Sequence, residues 1–332
     1  MSLTDEEIVN IPGIMSRWVR LANGAKAHYM TAGDTGPAVI LLHGGAAGSS
    51  GTAGWRFMAP FLGANGFRVF CPDQPGFGLA DTREEYWPKH GILSHVQFIN
   101  DFADALCLDE FHLAGNSMGC VNAIHYLLAY PKRVKSFAVI AGHVGDLVAP
   151  ENKPQRFIDI NIFDGSDTTM RKLMEYIILD PSKITPDLLE MRVKAGNRQW
   201  DSYQSWFWAF RGRALAGHPS EPRVTQWLTT KGRLDKLDIP GIYLYGRQDV
   251  LLPLEYGFAQ EDVLPTVQFF YPEDTGHQGQ TDQPEMFGQV FLEFFRDGRV
   301  SRKTADWAGV SDRRPEISQL VQQSEEVVAS SG

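Results

Sequence analysis

Cysteine is scarce: Cys71, Cys107 and Cys120 are the only three in 332 residues. So small and odd a number excludes a disulfide framework and offers no paired metal-ligand spacing, which fits a reducing compartment. Long apolar runs are missing too; no stretch approaches the roughly 18 consecutive apolar residues of a membrane helix. Positive charge is in deficit, with 31 Lys and Arg against 40 Asp and Glu and a formal net charge of -9. That balance argues against a nucleic-acid or anionic-membrane surface, since a basic stripe is the footprint of either. The acidic opening "MSLTDEEIVNIPG" has no apolar run behind basic residues. No secretory leader is therefore expected, and the location is read as cytoplasmic. Internal repeats and low-complexity tracts are absent.

What is present is ordinary globular material, 43% hydrophobic and 21% charged. Residues 16–33 predict a hairpin around Asn23-Gly24. "PAVILLHGG" and "FRVFCPDQPGFG" are apolar strands that end in glycine-rich turns, as strands buried on both faces should be. Helices are expected over about 55–65, 94–107 and 118–129, with strands at "EFHLAGN", "VKSFAVIAGH", "IPGIYLYGRQD" and "VQFFYPEDTGH". This alternation predicts an α/β fold with a mostly parallel, doubly wound sheet and functional groups at the strands' carboxyl ends. Residues 1–146 and 237–300 form the two parts of that core. Residues 147–236 break the alternation and predict a helical cap inserted after the sixth strand. Residues 301–332 turn polar and are expected to be a tail, with one short helix near 316–328 whose apolar stripe would suit either a second copy of the chain in a homodimer or folding back on its own core.

Within "HLAGNSMGCVNAIHYLL", Gly115-x-Ser117-x-Gly119 marks a strand-to-helix turn that would expose a nucleophile. In a chain with 32 glycines the pattern alone is weak. Two residues further along the chain give it weight. Asp249 ends one later strand and His277 ends the next, giving the order Ser, Asp, His on the expected elements. A serine hydroxyl needs an imidazole to take its proton, and the imidazole needs a buried carboxylate to fix its tautomer. Asp146, after the sixth strand, is the rival acid. The oxyanion donors are assigned to the amides of Gly45, on the glycine-rich loop after the first parallel strand, and Met118, next to the nucleophile. Gly44 and Gln278 flank these groups and are taken as substrate contacts. His143 ends a strand and is a candidate for the pocket wall. Six aromatic residues are crowded into "RQWDSYQSWFWAFRG", and Trp206 is the one assigned to the pocket. His112, His125 and His218 are read as structural.

At these residues the chain resembles the α/β-hydrolase superfamily to about residue 297. "LLHGG", "DQPGFG", "GNSMG", "YGRQD" and "GH" fall where that family carries its motifs. An aspartate at position 117 would have resembled dehalogenases or epoxide hydrolases. Within the superfamily, "HGG", "GNSMG" and "GRQDVLLPLEYG" look most like the meta-cleavage-product hydrolases, which cut a carbon–carbon bond in dienoates made by ring fission of catechols. The resemblance implies a substrate contact at Asn116 and a cap arginine for the substrate carboxylate, placed by "ITPDLLEMRVKA" at Arg192. Three departures stand out: Ala46-Ala47 where the family has Gly-Pro, Arg56-Phe57 near its usual Asn, and Gln278 in place of its Trp. The expectation is a hydrolase using neither cofactor nor metal on a small apolar or aromatic substrate with a carboxylate. A carboxylesterase or lactonase, and a hydrolase-fold binding module without catalysis, are the alternatives.

Overall fold

The computed structural model describes residues 3–147, 160–214 and 227–313. The strands are β1 (Met15–Arg20), β2 (Lys26–Ala32), β3 (Ala38–Leu42), β4 (Arg68–Pro72), β5 (Phe111–Asn116), β6 (Val134–Ile140), β7 (Gly241–Leu244) and β8 (Val267–Phe270). They form one eight-stranded sheet in the order β1-β2-β4-β3-β5-β6-β7-β8. The β1/β2 and β2/β4 pairs are antiparallel, and every pair from β4 to β8 is parallel. The order reverses at β3, whose chain continues to β4 on one side while β5 lies on the other. That switch point opens a crevice at the carboxyl ends of β3 and β5, where α/β sheets take their ligands.

The helices are α1 (Gly51–Trp55), α2 (Met58–Ala64), α3 (Ile92–Ala105), α4 (Met118–Ala129), α5 (Asp167–Ile177), α6 (Pro186–Arg198), α7 (Trp200–Ala214), α8 (Leu254–Val263), α9 (Gly279–Asp282), α10 (Pro284–Asp297) and α11 (Arg302–Trp307). Side chains of β3 alternate between two cores: Val39 and Leu41 pack on the α1/α2/α10 side, Ile40 and Leu42 on the α3/α4 side. Helices α5 to α7 lie between β6 and β7 in the chain. They start where capping chemistry directs: Ser166 accepts from Thr169 N, and Thr185, followed by Pro186, accepts from Leu188 N. Met170, Leu173, Met174 and Leu188 of α5 and α6 join the first core. Among the described residues no helix is long and apolar enough to cross a membrane.

The C-terminal region departs from the expected tail. Val300, Ala305 and Ala308 are fully buried, and α11 is capped by Ser301. Val310 bridges Phe270, while Tyr271 N donates to Gly309 O (2.7 Å) and Ser311 N to Phe269 O (2.9 Å). Residues 298–313 thus cover the outer edge of β8, which would otherwise present unpaired backbone groups. A short segment of small residues among charges carries no periodicity that would announce this. The helix expected near 316–328 and His218 lie outside the described residues, as do parts of the 147–236 insertion.

Candidate active site

Ser117 sits between the end of β5 and the start of α4 with φ 56° and ψ −116°, a backbone strained for any residue with a side chain. The turn closes only because its neighbours are glycines: a Cβ on Gly119 would lie 2.2 Å from Leu42 O, and one on Gly115 2.2 Å from Gly119 O. The Ser117 amide is held by Ile140 O at 2.9 Å. Such strain persists where the surroundings over-determine it, and its effect is to lift the hydroxyl out of the helix start.

His277 lies beyond β8, with Nδ1 2.8 Å from Asp249 Oδ2. The other Asp249 oxygen accepts from Leu251 N (2.8 Å) and Leu252 N (3.0 Å), so the carboxylate is locked and both groups are buried. The Asp249 bond to Nδ1 leaves Nε2 as the remaining ring nitrogen. Asn116 Nδ2 donates to the His277 carbonyl at 2.9 Å and ties the end of β5 to the loop after β8. Ser117, His277, Asn116, Gly44, Gly45, Arg192 and Gln278 line one narrow cleft, with Ile160, Ile177 and Leu251 as its apolar wall. Among the described residues, no group accepts from the amides of Gly45 or Met118.

Arg192 is 1% exposed. One terminal nitrogen donates to Ala47 O and Ser49 Oγ, both at 3.2 Å, while Nε has no partner and no described carboxylate pairs with it. Desolvation lowers the guanidinium to about 10, which leaves it charged at neutral pH. Gly48 makes this placement steric: at φ +72° its Cβ would lie 2.2 Å from Arg192 O, so loop and helix touch backbone to backbone. Arg56, also buried, donates to Ala53 O (2.8 Å) and Lys183 O (3.2 Å). Desolvation and repulsion from Arg192 lower it to about 10 as well. Gln278 Nε2 shares the Ala53 carbonyl at 3.2 Å. Arg192 is the one Lys or Arg among the described residues that lines the cleft.

Two expected wall residues are not among those that line the cleft. His143 packs edge-on to Tyr256. Trp206 sits one layer back, against the cleft residue Gly45 and edge-on to Phe77. The rival acid Asp146 accepts from Thr230 N, Thr230 Oγ1 and Lys231 N, and so pins a loop far from the imidazole's Nδ1 partner. His112 bonds Ser136 and His125 stacks on Trp227, both within the packing.

A second serine–histidine–aspartate line was not foreseen. His28 Nδ1 lies 2.7 Å from Asp73 Oδ2, and His28 Nε2 3.0 Å from Ser16 Oγ, whose proton goes to Glu6 Oε2. Asp73 also accepts from Gly51 N and Leu79 N, each at 2.7 Å. Its only sequence signal was the aspartate of "DQPGFG". Among the described residues no cluster of three or more His, Cys, Asp or Glu could hold a metal.

A match to the α/β hydrolase fold family covers residues 37–284. The chain belongs to that family. This α/β hydrolase is 28% identical over 279 residues to the 2-hydroxy-6-oxo-6-phenylhexa-2,4-dienoate hydrolase of Burkholderia cepacia, covering 82% of this chain and 92% of the relative. It is 29% identical over 301 residues to the 2-hydroxy-6-oxo-2,4-heptadienoate hydrolase of Pseudomonas putida, covering 86% and 98%. Among solved structures, a meta-cleavage product hydrolase from Pseudomonas fluorescens IP01 in complex with acetates matches with TM-score 0.70 and 26% identity, over 88% of this chain and 99% of that one. A bacterial membrane phospholipase A matches with the same TM-score of 0.70 at 23% identity, over 86% of each chain. Equal likeness to two such different enzymes means that the fold does not choose the substrate; the cleft must.

Proposed function

We propose that this α/β hydrolase cleaves a carbon–carbon bond in a vinylogous diketone bearing a carboxylate, a ring-fission dienoate. The observation that carries the reading is Arg192: a buried cation that no carboxylate among the described residues pairs with, in the same cleft as Ser117 and His277. Burying an ion without a counter-ion costs several kcal/mol. A substrate carboxylate would offset that cost, and a guanidinium fork suits it better than a point charge. The names of the relatives support the same substrate class.

In this reading Arg192 holds the carboxylate and favours the tautomer whose charge spreads along the diene. The proton of the dienol hydroxyl then moves to the diene carbon next to the far carbonyl, which turns the enol into a ketone and leaves the far carbonyl unconjugated and open to addition. His277, oriented by Asp249, takes a proton as Ser117, or water next to it, adds to that carbonyl. The oxyanion collects the unused amides of Gly45 and Met118, which are fixed before the reaction and need no reorganisation. Collapse breaks the carbon–carbon bond, and the imidazolium returns its proton to the departing carbon; where Ser117 has added, water activated by His277 then hydrolyses the acyl-serine ester, releasing the acid and the free serine. Asn116 and Gln278 line the substrate's path.

Arg192→Lys tests it. On a ring-fission dienoate the variant should lose about 1.5–3 kcal/mol in kcat/KM, the worth of a charged hydrogen bond, whereas a neutral aryl ester should change little. Equal losses on both substrates would make Arg192 structural and favour a carboxylesterase or lactonase.

A further inference from the structure

Six residues close a circuit of contacts around the glycine amide that the proposed reaction uses. Gln74 clamps His43 from two sides: its amide donates to His43 Nε2 at 3.0 Å, and its side-chain Nε2 donates to the His43 carbonyl at 2.9 Å. His43 in turn donates from Nδ1 to the Gly44 carbonyl at 2.8 Å. That carbonyl and the Gly45 N–H belong to one planar trans peptide, so gripping the oxygen aims the N–H in the opposite direction. Asn122, in α4 behind Ser117, donates from Nδ2 to Gln74 Oε1 at 2.7 Å and to His95 Nδ1 at 2.9 Å. The other His95 nitrogen donates to Pro75 O at 2.9 Å. The His95 ring stacks on Trp206 of α7, with centroids 6.0 Å apart and an interplanar angle of 17°. Trp206 returns to the start, since a Cβ on Gly45 would lie 2.7 Å from Trp206 Cη2. Phe77 fills the middle, 5.2 Å edge-on to both His43 and Trp206.

The protons in this circuit have only one arrangement. Gln74 must present Nε2 to the His43 carbonyl, so its oxygen faces Asn122, and Asn122 must present Nδ2. Both imidazoles then need one N–H and one lone pair. Burial agrees: desolvation pushes His95 down to about 4 and lowers His43 too. Each donor named in the circuit has its acceptor, while Asn122 Oδ1 and Trp206 Nε1 are buried without a described partner; breaking one member leaves its neighbours unsatisfied as well.

We infer that Asn122 is a positioning residue for the Gly44–Gly45 peptide, acting through Gln74 and His43, and that Trp206 couples the seating of α7 to the same peptide. The consequence for turnover rests on Gly45 being an oxyanion donor; the mechanical coupling does not.

Two readouts separate these. Asn122→Leu removes the donor at similar volume, Trp206→Leu opens the opposite side, and Gln74→Met replaces the first where it does not fold. Hydrogen exchange at the Gln74 amide should rise at least tenfold in each variant while β3 and α4 keep their protection. On an aryl ester kcat should fall tenfold or more with KM within threefold, because a misaimed N–H is felt in the transition state. The double variant should fall no more than threefold below the worse single, since a circuit opened once is already open. Unchanged exchange, a multiplicative loss in the double variant, or faster exchange with wild-type kcat would each overturn the positioning role. Wild-type protein that turns over neither ester nor dienoate would instead overturn the proposed function, and the exchange data would still decide the coupling.

Discussion

Two serine–histidine–aspartate sets occur among the described residues, and the proposed function rests on only one of them. In Ser117–His277–Asp249 the serine sits on a strained turn in a cleft, beside two unused amides. In Ser16–His28–Asp73 the serine lies in an ordinary edge strand, and its proton already belongs to Glu6. Glu6 is held below the usual carboxylate range, chiefly by that Ser16 hydrogen bond, and so has no proton to give back. Ser16 can therefore offer His28 only a lone pair, which calls for an N–H on Nε2 and leaves no base to activate the hydroxyl. Asp73 differs as well. Its oxygens bind the Gly51 and Leu79 amides, so it fastens the turns after β3 and β4 to the hairpin. The same three residue types make the proposed reaction centre in one place and a strut in the other; the direction of the protons separates them.

The sharpest way to break this comparison is Ser117→Ala. Turnover of any substrate should fall on the order of 10³-fold or more while thermal unfolding stays put. A variant keeping a tenth of wild-type activity would move the nucleophile elsewhere. Asp73→Ala should do the reverse. It leaves three donors of the buried strut without their acceptor and should cost about 3–5 kcal/mol of stability, read from denaturant midpoints. The folded protein should keep kcat within tenfold, and a loss like that of Ser117→Ala at unchanged stability would erase the distinction.

Acid sharpens the same contrast. Burial alone would raise Asp73, but His28, by charge and hydrogen bond, holds its carboxyl below the ordinary value. The unfolded chain then binds the proton first, so stability from this group is present above about pH 4 and is lost as pH falls through the lowered folded value. The difference in urea midpoint between wild type and Asp73→Ala should therefore shrink from pH 6 to pH 3. A difference that stays constant would show that the strut is not ionised. Ser16→Ala should be the mildest change, with kcat and KM unaffected and no more than about 1 kcal/mol of stability lost. A clear loss of turnover would make the second line functional.

The sequence by itself determined what local rules govern. Alternating buried strands and helices announce themselves by apolar runs, glycine turns and period, and they predict a doubly wound sheet. Strand-end logic then singles out Ser117, Asp249 and His277, because in such a sheet functional groups collect at carboxyl ends. Arg192 could be named only through the family resemblance, and the lack of a described carboxylate beside its guanidinium is a three-dimensional fact. Only the tertiary structure brought residues 298–313 onto the edge of β8 and set Trp206 one layer behind the cleft, in contact with Gly45. It alone joined His28 to Asp73 and Gln74 to Asn122, 45 and 48 positions apart. The physical reason is common to all of these. A side chain's propensity is written in its neighbours along the chain, whereas the partner that takes its proton, or leaves its charge unanswered, is chosen by packing.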